Sequence, residues 1–310
     1  MKEAEVTNKA FSRVTVIIVT HNRPECLERC LQQLEKVKYR DYITVVADSS
    51  PSTPAAELLA AKYGAEYRST PVKGVSRARN LGAHNARSEI LAYLDDDMVP
   101  HPNWLGALAE SFSDISVMAV SGPVLSLALF GSGEPELQNS LNSTPWGPRS
   151  FSIEETNPQW FERANFGGIG DGNFALRRSA FLQIRGFDER IGRGSAINTS
   201  EEHYAYYRVI DLGGKVTYLP QAIVFHQDSP ICKELAQKNI RESAAYAVFL
   251  MHHHPFKTLR VLKFCVEGFF WKRRWWRTDT ETQNSLSKWE ILLCGWKGFC
   301  DFLRSVAKIS

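Results

Sequence analysis

The chain has 310 residues, of which 44% are hydrophobic and 23% are charged, proportions that are ordinary for a soluble globular protein of one large domain or two small ones. Its net charge of +3 is too small to indicate a nucleic-acid partner. Its first residues lack the apolar stretch of a signal peptide, and no run reaches the roughly 18 apolar residues of a spanning helix. We therefore expect a cytoplasmic protein, either free or peripheral at the inner face of the cell membrane.

Strands and helices are predicted to alternate along the first hundred residues. Val14–Val19 is a β-branched run typical of a buried strand, and Pro24 suits the first turn of a helix that should run to about residue 37. Further strands are predicted over residues 43–47, 66–69 and 90–94, and further helices over residues 55–63 and 75–85. This alternation predicts an α/β fold with a mostly parallel, doubly wound, Rossmann-like sheet.

Three consecutive aspartates, Asp95, Asp96 and Asp97, follow the apolar run that ends at Leu94. Three adjacent carboxylates repel one another and are costly to bury without a cation, and Mg²⁺ or Mn²⁺ prefer such oxygen ligands. Mg²⁺ usually takes only one or two carboxylates and completes its shell with waters and substrate phosphates. The triplet thus indicates a metal and a phosphorylated substrate, or, as the alternative, a solvated acidic turn.

Other polar residues are predicted to lie at the same edge of the sheet. Thr20–Arg23 follows the first strand and Asp48 follows the second, just as the aspartates follow the strand over residues 90–94. Ligands of doubly wound sheets bind outside the carboxyl ends of the strands. This convergence favours a binding site over a solvated turn.

The later part of the chain is less regular. Residues 130–166 are rich in Gly, Ser, Pro and Asn, which predicts a long irregular loop. Its aromatic residues Trp146, Trp160 and Phe161 could either face a sugar ring or anchor the loop. Regular patterns resume at residues 174–182, followed by a helix over about 202–212, a strand over 215–219, and helices after Pro230.

Residues 14–226 resemble a family 2 glycosyltransferase of the GT-A type, in the order and spacing of many short motifs. The matching stretches are Val16–Arg23, Asp48, Gly74–Gly82, Leu94–Met98, Asn173–Arg178, Gly186–Arg190, Glu201 and Glu202 with Arg208 and Gly213, and Pro220–His226. The resemblance implies a GT-A catalytic domain over residues 1–230, with a nucleotide-sugar half at about 14–125 and an acceptor half at about 126–230. Residues 231–310 then form a helical, basic and aromatic C-terminal extension.

The resemblance implies a DxD pair made of Asp95 and Asp97. Asp97 would be the first candidate for a direct ligand of Mn²⁺ or Mg²⁺, and Asp95 a further one. Asp95 would also lie nearer the ribose of the donor, where Asp96 would contact the nucleotide-sugar as well. His226 matches a position that completes the metal shell in some relatives, although a histidine there can also be structural. A metal at this place would stabilise the charge that develops on the departing diphosphate.

The remaining donor contacts are also implied by the resemblance. Asp48 would bind the base and ribose, although many relatives carry two adjacent acidic or amide residues at this turn. The residues after the first strand would contact the nucleotide, and those that open the helix after residue 73 would contact the diphosphate, an anion that helix N-termini and arginine favour. These two groups are Thr20, Asn22 and Arg23, and Gly74, Arg77 and Asn80. Arg79 is interpreted as part of a solvated helix start.

Inversion at the anomeric carbon needs a base that takes the proton of the acceptor hydroxyl. The family pattern is Glu-Asp, followed seven residues later by Arg and five after that by Gly, and here Glu202 replaces the Asp. We expect Glu202 to be the base, with Glu201 as the second candidate and Asp171 as a weaker third. The pair also suits a helix N-terminus capped by Thr199 and Ser200.

The C-terminal extension contains a basic and aromatic stretch. Between Pro255 and Arg277, seven basic residues meet one acidic residue, interleaved with seven Phe or Trp. Such a composition suits contact with an anionic membrane, and the alternatives are packing on the catalytic domain and, less well supported, phosphates of nucleic acid. Membrane contact would suit a lipid-linked or surface-polysaccharide acceptor.

The sequence therefore predicts an inverting, metal-dependent transferase that uses a UDP-, dTDP- or GDP-sugar and a glycan or lipid-linked acceptor. The first alternative is a catalytically silent nucleotide-sugar-binding or scaffold protein, because Glu202 departs from the family pattern. A nucleotidyltransferase is a weaker alternative, because it would normally have a glycine-rich loop after the first strand and residues 20–24 contain no glycine.

Overall fold

The computed structural model describes residues 14–144, 147–166, 172–228, 232–271 and 286–307. Two residues singled out from the sequence, Trp146 and Asp171, lie outside the described residues, as does the basic stretch 272–277. What was predicted for them stays a prediction.

The first part of the chain alternates strands and helices as predicted. The bounds are β1 (Val14–Thr20), α1 (Pro24–Leu34), β2 (Tyr42–Ser49), α2 (Ala55–Lys62), β3 (Glu66–Thr70), α3 (Val75–Ala83) and β4 (Ile90–Asp95). Strand β1 lies between β2 and β4 and is parallel to both, and β3 continues the parallel arrangement beyond β2. Helix α1 ends about three residues earlier than the sequence predicted.

The pairing of β1 with its neighbours brings the predicted polar residues to one edge. Thr20 lies opposite Asp48 across β1 and β2, and Val19 lies opposite Asp95 across β1 and β4. The carboxyl ends of the three strands therefore meet at the same level of the sheet.

The second part of the chain completes an eight-stranded, mostly parallel sheet in the order β3-β2-β1-β4-β9-β6-β10-β8. Strand β9 is antiparallel to β4 and β6, β8 is antiparallel to β10, and the other pairs are parallel. The remaining elements up to His226 are β5 (Val99–Pro100), α4 (Trp104–Ser111), β6 (Val117–Ser121), β7 (Val124–Ser126), α5 (Glu134–Ser143), β8 (Phe151–Ile153), α6 (Trp160–Asn165), β9 (Asn173–Arg177), α7 (Arg178–Gln183), α8 (Glu201–Asp211), β10 (Lys215–Tyr218) and β11 (Val224–His226).

A second, three-stranded sheet has the order β5-β11-β7. Phe225 of β11 lies opposite Val99 of β5, in antiparallel pairing. Since Val99 comes two residues after Asp97, this pairing carries His226 to the aspartate triplet. The small sheet thus explains how two segments far apart in the sequence reach one site.

The prediction of a long irregular loop over residues 130–166 is wrong. The segment contains α5, β8 and α6. Leu137 and Leu141, four residues apart, are the buried face of α5. Trp160 and Phe161 are buried, and Trp160 stacks on Tyr207 with ring centroids 5.8 Å apart. These two aromatic residues anchor the segment and do not offer a free face to a sugar.

In the described part of the chain after His226 there are three α-helices: α9 (Lys233–His253), α10 (Thr258–Trp271) and α11 (Lys288–Ala307). Helix α10 reaches the sheet domain, because Phe264 stacks on Phe166 at 4.0 Å and Arg260 pairs with Glu162 at 2.8 Å. Within the described residues, none of the helices is both long and apolar enough to span a bilayer.

Candidate active site

The aspartate triplet is held by residues that follow β1. Thr20 Oγ1 donates a hydrogen bond of 2.6 Å to Oδ2 of Asp96, and both side chains are buried. The guanidinium of Arg23 bridges the triplet, pairing with Asp96 through one nitrogen and with Asp97 Oδ2 through the other at 2.6 Å. Burial raises the pKa of Asp96 to about 7, against the opposing effects of Arg23 and Thr20. Thr20, Arg23 and the triplet therefore form one polar cluster.

Asp97 and His226 lie side by side at the outer part of this cluster. The distance from His226 Nε2 to Asp97 Oδ2 is 3.5 Å, and both side chains are partly exposed. Burial alone would raise the pKa of Asp97, but the contact with His226 and the charge of Arg23 outweigh it and lower that pKa. The same contact raises the pKa of His226. Asp97 and His226 thus bring a carboxylate oxygen and an imidazole nitrogen next to each other in the site.

Asp48 lies at the end of β2 with one carboxylate oxygen still available. Tyr67 donates a hydrogen bond of 3.1 Å to Oδ2, whereas Oδ1 is buried and accepts no hydrogen bond from the described residues. Burial raises the pKa of this carboxyl group. A buried acceptor without a partner is costly, so Asp48 is suited to bind an N–H or O–H group of a ligand.

Arg79 is the centre of a buried ionic cluster. Its side chain is 1% exposed and binds three carboxylates: Nη1 contacts Glu201 Oε1 at 2.9 Å, and Nη2 contacts Glu202 Oε1 at 2.8 Å and Asp95 Oδ1 at 3.0 Å. The guanidinium also lies over the ring of Phe174, 5.1 Å from its centroid. The interpretation of Arg79 as a solvated residue is therefore wrong.

The two glutamates of this cluster differ in protonation. Burial and the charge of Glu202 raise the pKa of Glu201 to about 8. Burial acts the same way on Glu202, but Arg79 and backbone hydrogen bonding outweigh it and lower the pKa. Near neutral pH, Glu201 therefore holds a proton and Glu202 is ionised. The pair begins α8, but the predicted cap is wrong, because neither Thr199 nor Ser200 donates or accepts a side-chain capping hydrogen bond there.

The residues that open α3 have partners within the protein. Arg77 pairs with Glu189 at 2.7 Å, and Asn80 exchanges two hydrogen bonds with the backbone of Phe187. Gly74 adopts φ +150°, in the region that favours glycine, and Val75 N donates to the carbonyl of Arg193. Arg77 and Asn80 are thus bound within the protein, and the contacts of Gly74, Arg77 and Asn80 with a diphosphate stay a prediction.

Asn22 ties two loops together. Its Oδ1 accepts hydrogen bonds from the backbone N and the Oγ of Ser52, at 2.8 and 2.7 Å. Asn22 itself adopts φ +53°, a left-handed conformation that asparagine tolerates better than most residues. Its side chain thus shapes the rim of the site through Oδ1, and the contact of Asn22 with a nucleotide stays a prediction.

Part of the chain matches a known protein family. The family model described as glycosyl transferase family 2 matches residues 15–184, more than half of the chain. The chain belongs to glycosyl transferase family 2. The resemblance found in the sequence is thereby confirmed.

Curated relatives of this family 2 chain include the pre-mycofactocin glycosyltransferase of Mycobacterium tuberculosis, 24% identical over 249 residues. That match covers 79% of the chain and 49% of the relative, so the chain spans about half the length of that protein. The succinoglycan biosynthesis protein ExoM of Rhizobium meliloti is 28% identical, over 70% of the chain and 67% of the relative.

Solved structures show the same fold. The mannosyltransferase PcManGT from Pyrobaculum calidifontis, in complex with GDP-Man and Mn²⁺, aligns with a TM-score of 0.54 and 16% identity over 97% of the chain and 75% of that structure. TarS of S. aureus aligns with a TM-score of 0.60 and 14% identity over 95% of the chain and 49% of that structure. The predicted GT-A fold is confirmed.

The donor set of this family 2 site fits one divalent cation with a partial protein shell. Over the described part of the chain, no three His, Cys, Asp or Glu side chains are grouped as ready-made ligands. Asp97 and His226 supply two adjacent, partly exposed donor atoms, and Mg²⁺ commonly completes such a small set with waters and phosphates. Asp95 Oδ1 binds Arg79, and the predicted contact of Asp95 with the metal stays a prediction.

Two functional residues were missed by sequence reasoning. Arg79 shares one helix face with Ser76 and Ala83, at spacings of three and four, and all three are buried. That spacing was a signal that Arg79 points inward. Tyr67, which hydrogen-bonds to Asp48, carried no comparable signal, because β3 is an edge strand without a clear apolar alternation.

Proposed function

We propose that this chain is an inverting glycosyltransferase, which moves a sugar from a nucleotide-diphospho-sugar to a glycan or lipid-linked acceptor by single displacement. The proposal rests on one observation, that the carboxylates of Asp95 and Glu202 both bind Nη2 of Arg79. One residue belongs to the aspartate triplet that would face the donor, and the other is the expected base for the acceptor. A donor site and an acceptor base thus adjoin, as a direct displacement requires.

The donor would lie along the carboxyl ends of β1 and β2. Asp48 would accept a hydrogen bond from the base or ribose through its unpartnered Oδ1, and Thr20 and Arg23 would fix the aspartates beneath the phosphates. PcManGT was solved with GDP-Man and TarS residues 1–349 with UDP-GlcNAc. A UDP-, dTDP- or GDP-sugar is therefore the proposed donor class.

Asp97 and His226 would hold Mn²⁺ or Mg²⁺, with Asp95 next to them. When bound, the metal would act as a Lewis acid that stabilises the charge of the departing diphosphate. Arg23 contributes a fixed positive charge beside the same carboxylates and, together with the bound metal, would offset their negative charge when the phosphates bind.

Glu202 would remove the proton of the attacking acceptor hydroxyl. Its carboxylate is ionised near neutral pH, because Arg79 lowers its pKa, and Arg79 also fixes its orientation. Glu201 is the second candidate, but its raised pKa keeps it protonated and less suited to accept a proton. Asp171 lies outside the described residues and stays a third candidate.

The domain organisation and the location follow from the same reasoning. The catalytic domain would comprise residues 1–230, divided near residue 125, and residues 231–310 would be the helical extension. We place the protein in the cytoplasm, peripheral at the inner face of the cell membrane, where residues 255–277 would approach a lipid-linked or surface-polysaccharide acceptor. Phe256, 99% exposed at the start of that stretch, is consistent with this placement.

A silent nucleotide-sugar-binding protein of the same fold is the second candidate. The observation that favours it is the burial of Glu202, which is only 4% exposed and is already bound by Arg79. A strongly paired carboxylate is a weaker base. Turnover distinguishes the two candidates, because a silent protein binds the nucleotide without releasing nucleoside diphosphate.

The test is release of nucleoside diphosphate from UDP-, dTDP- and GDP-sugars, with Mn²⁺ or Mg²⁺ and with EDTA. Wild type is compared with Asp97→Ala and Glu202→Gln. The control is Asp114→Ala, since Asp114 lies at the surface, where it pairs with Lys215 and accepts hydrogen bonds from Ser116. Donor-selective release that EDTA and the two site variants abolish, and the control retains, would support the proposal. Metal-dependent binding without release under any acceptor would favour the silent protein, and no nucleotide binding would overturn both.

A further inference from the structure

Helix α11 has two faces in opposite environments. Cys294, Gly298 and Phe302, spaced by four residues, are buried on the side that packs on α9. The other side carries large apolar side chains that are exposed to solvent at spacings of three, four and seven. This exposed stripe consists of Trp289, Leu292, Leu293, Trp296, Leu303 and Val306. Such spacing places them on one side of a helix.

Three contacts fix the orientation of α11 and keep the stripe outward. Lys233 pairs with Glu290 at 2.6 Å, and Arg241 Nη2 donates to Asp301 Oδ1 at 2.8 Å. At Gly298 the two helices approach so closely that an added Cβ would lie 2.9 Å from the Cβ of Ala244. Because these contacts hold α11 on α9, the helix cannot rotate about its own axis to bury the stripe.

The exposure of the stripe is large for a protein surface in water. Trp289 is 81% exposed and Trp296, seven residues later on the same line of the helix, is 62% exposed. Contiguous apolar patches of this kind mark surfaces that bind another molecule or a membrane. Tryptophan in particular prefers the interface between lipid and water, where its ring is apolar and its N–H is hydrated.

The charges around the stripe decide which partner fits. Lys297 and Arg304, also seven residues apart, lie along one edge of the stripe, and Arg304 is 74% exposed. Helix α11 itself contains three Lys or Arg and two Asp or Glu, and both acidic residues pair with cations of α9. A second copy of the chain would bring the same cationic edge against itself, whereas an anionic bilayer would attract it.

We propose that the exposed stripe of α11, with its cationic edge, binds the surface of an anionic lipid bilayer, with Trp289 and Trp296 inserted at the interface. An amphipathic helix that lies in the plane of the interface buries its apolar side and leaves its cations at the headgroups. This surface is distinct from residues 255–277 and is independent of the transfer reaction.

The test is flotation of the 310-residue protein with phosphatidylcholine vesicles, with and without about one third phosphatidylglycerol, in the absence of donor and metal. Wild type is compared with Trp289→Ala/Trp296→Ala. The control is Leu58→Ala/Ile115→Ala, which removes two equally exposed apolar side chains from the sheet domain. We expect wild type and control to bind the anionic vesicles, more weakly as salt rises, and the double Trp variant to bind at least about tenfold more weakly.

Two results would overturn the inference. One is equal vesicle binding by wild type and the double Trp variant, or no binding by wild type. The other is a stable wild-type dimer that the double Trp variant lacks, measured by light scattering, which would identify a second copy as the occupant. Nucleotide binding should be the same in all variants, so a failure here is distinguishable from a failure of the proposed transferase function.

Discussion

Asp95 and Glu202 are bound to the same nitrogen atom, Nη2 of Arg79, at 3.0 and 2.8 Å. The two carboxylates come from β4 and α8, more than one hundred residues apart, and Glu201 is bound to the other nitrogen of the same guanidinium. Arg79 and the three carboxyl groups thus form one cluster, with a single basic group and three acidic ones. The raised pKa of Glu201 relieves the excess of negative charge, because that residue keeps its proton.

Replacing Arg79 by methionine should strongly destabilise the fold. Removal of the guanidinium leaves the buried Glu201 and Glu202 and the partly exposed Asp95 without a cation. Breaking a buried ion pair in this way typically costs about 3–5 kcal/mol. The control is Arg77→Met on the same helix, where the partly exposed pair with Glu189 should contribute no more than about 1 kcal/mol. Urea unfolding followed by circular dichroism measures both. Equal losses of unfolding free energy in the two variants would contradict the central role of Arg79.

Glu201 should make the stability of the protein depend on pH. Its pKa is about 8 in the folded state, against an ordinary value of 4.5, so between these values the folded state holds a proton that the unfolded state has released. Stability from this group therefore falls as pH rises from about 4.5 to about 8. In Glu201→Gln the neutral side chain is permanent, and we expect the melting temperature to fall less over this range.

The comparison of wild type with Glu201→Gln isolates one group. Other shifted carboxyls, such as Asp96 with its pKa of about 7, titrate in both proteins and cancel in the difference. The melting temperatures are measured at intervals between about pH 5 and about pH 9. Parallel curves for the two proteins would show that Glu201 is ionised in the folded state.

His226 should contribute to metal affinity if it completes the shell beside Asp97. We expect His226→Ala to weaken Mn²⁺ binding in the presence of nucleoside diphosphate by about tenfold or more, since one of two protein donors is lost. Mn²⁺ affinity is measured by electron paramagnetic resonance of the free ion, which does not require turnover. His84→Ala, at an exposed position after α3, is the control. An unchanged affinity would mean that His226 only orients Asp97.

Much of the sheet and its binding edge could be predicted from the sequence because both depend on local patterns. The β-branched run of β1 and the apolar run of β4 identify buried strands, and parallel pairing then brings Thr20, Asp48 and Asp95 to one edge without further information. Helix α5 was missed because only Leu137 and Leu141 mark its buried face, within a segment rich in loop-forming residues.

The role of Arg79 could not be predicted in the same way. Arg79 can be buried because Glu201 and Glu202 bind its guanidinium. The distance from Arg79 to these two glutamates is set by the packing of α8 against the sheet and not by any local pattern. The spacing from Ser76 to Ala83 indicated the direction of the side chain, but not its partners. His226 was a candidate for the metal site only through the family resemblance, because its approach to Asp97 depends on the small sheet.

Two glycines of α11 should respond in opposite ways to replacement by alanine. At Gly298 the new Cβ would lie well inside contact distance of the backbone carbonyl of Arg241 and 2.9 Å from the Cβ of Ala244, so the packing of α11 on α9 should lose about 1–3 kcal/mol. At Gly295 nothing lies within 4 Å of the new Cβ, so the better helix propensity of alanine should add about 0.5–1 kcal/mol. Thermal unfolding of the two variants measures both effects. Destabilisation by Gly295→Ala as large as that by Gly298→Ala would show that α11 is not held on α9 by this close approach, and the stripe would then be free to turn.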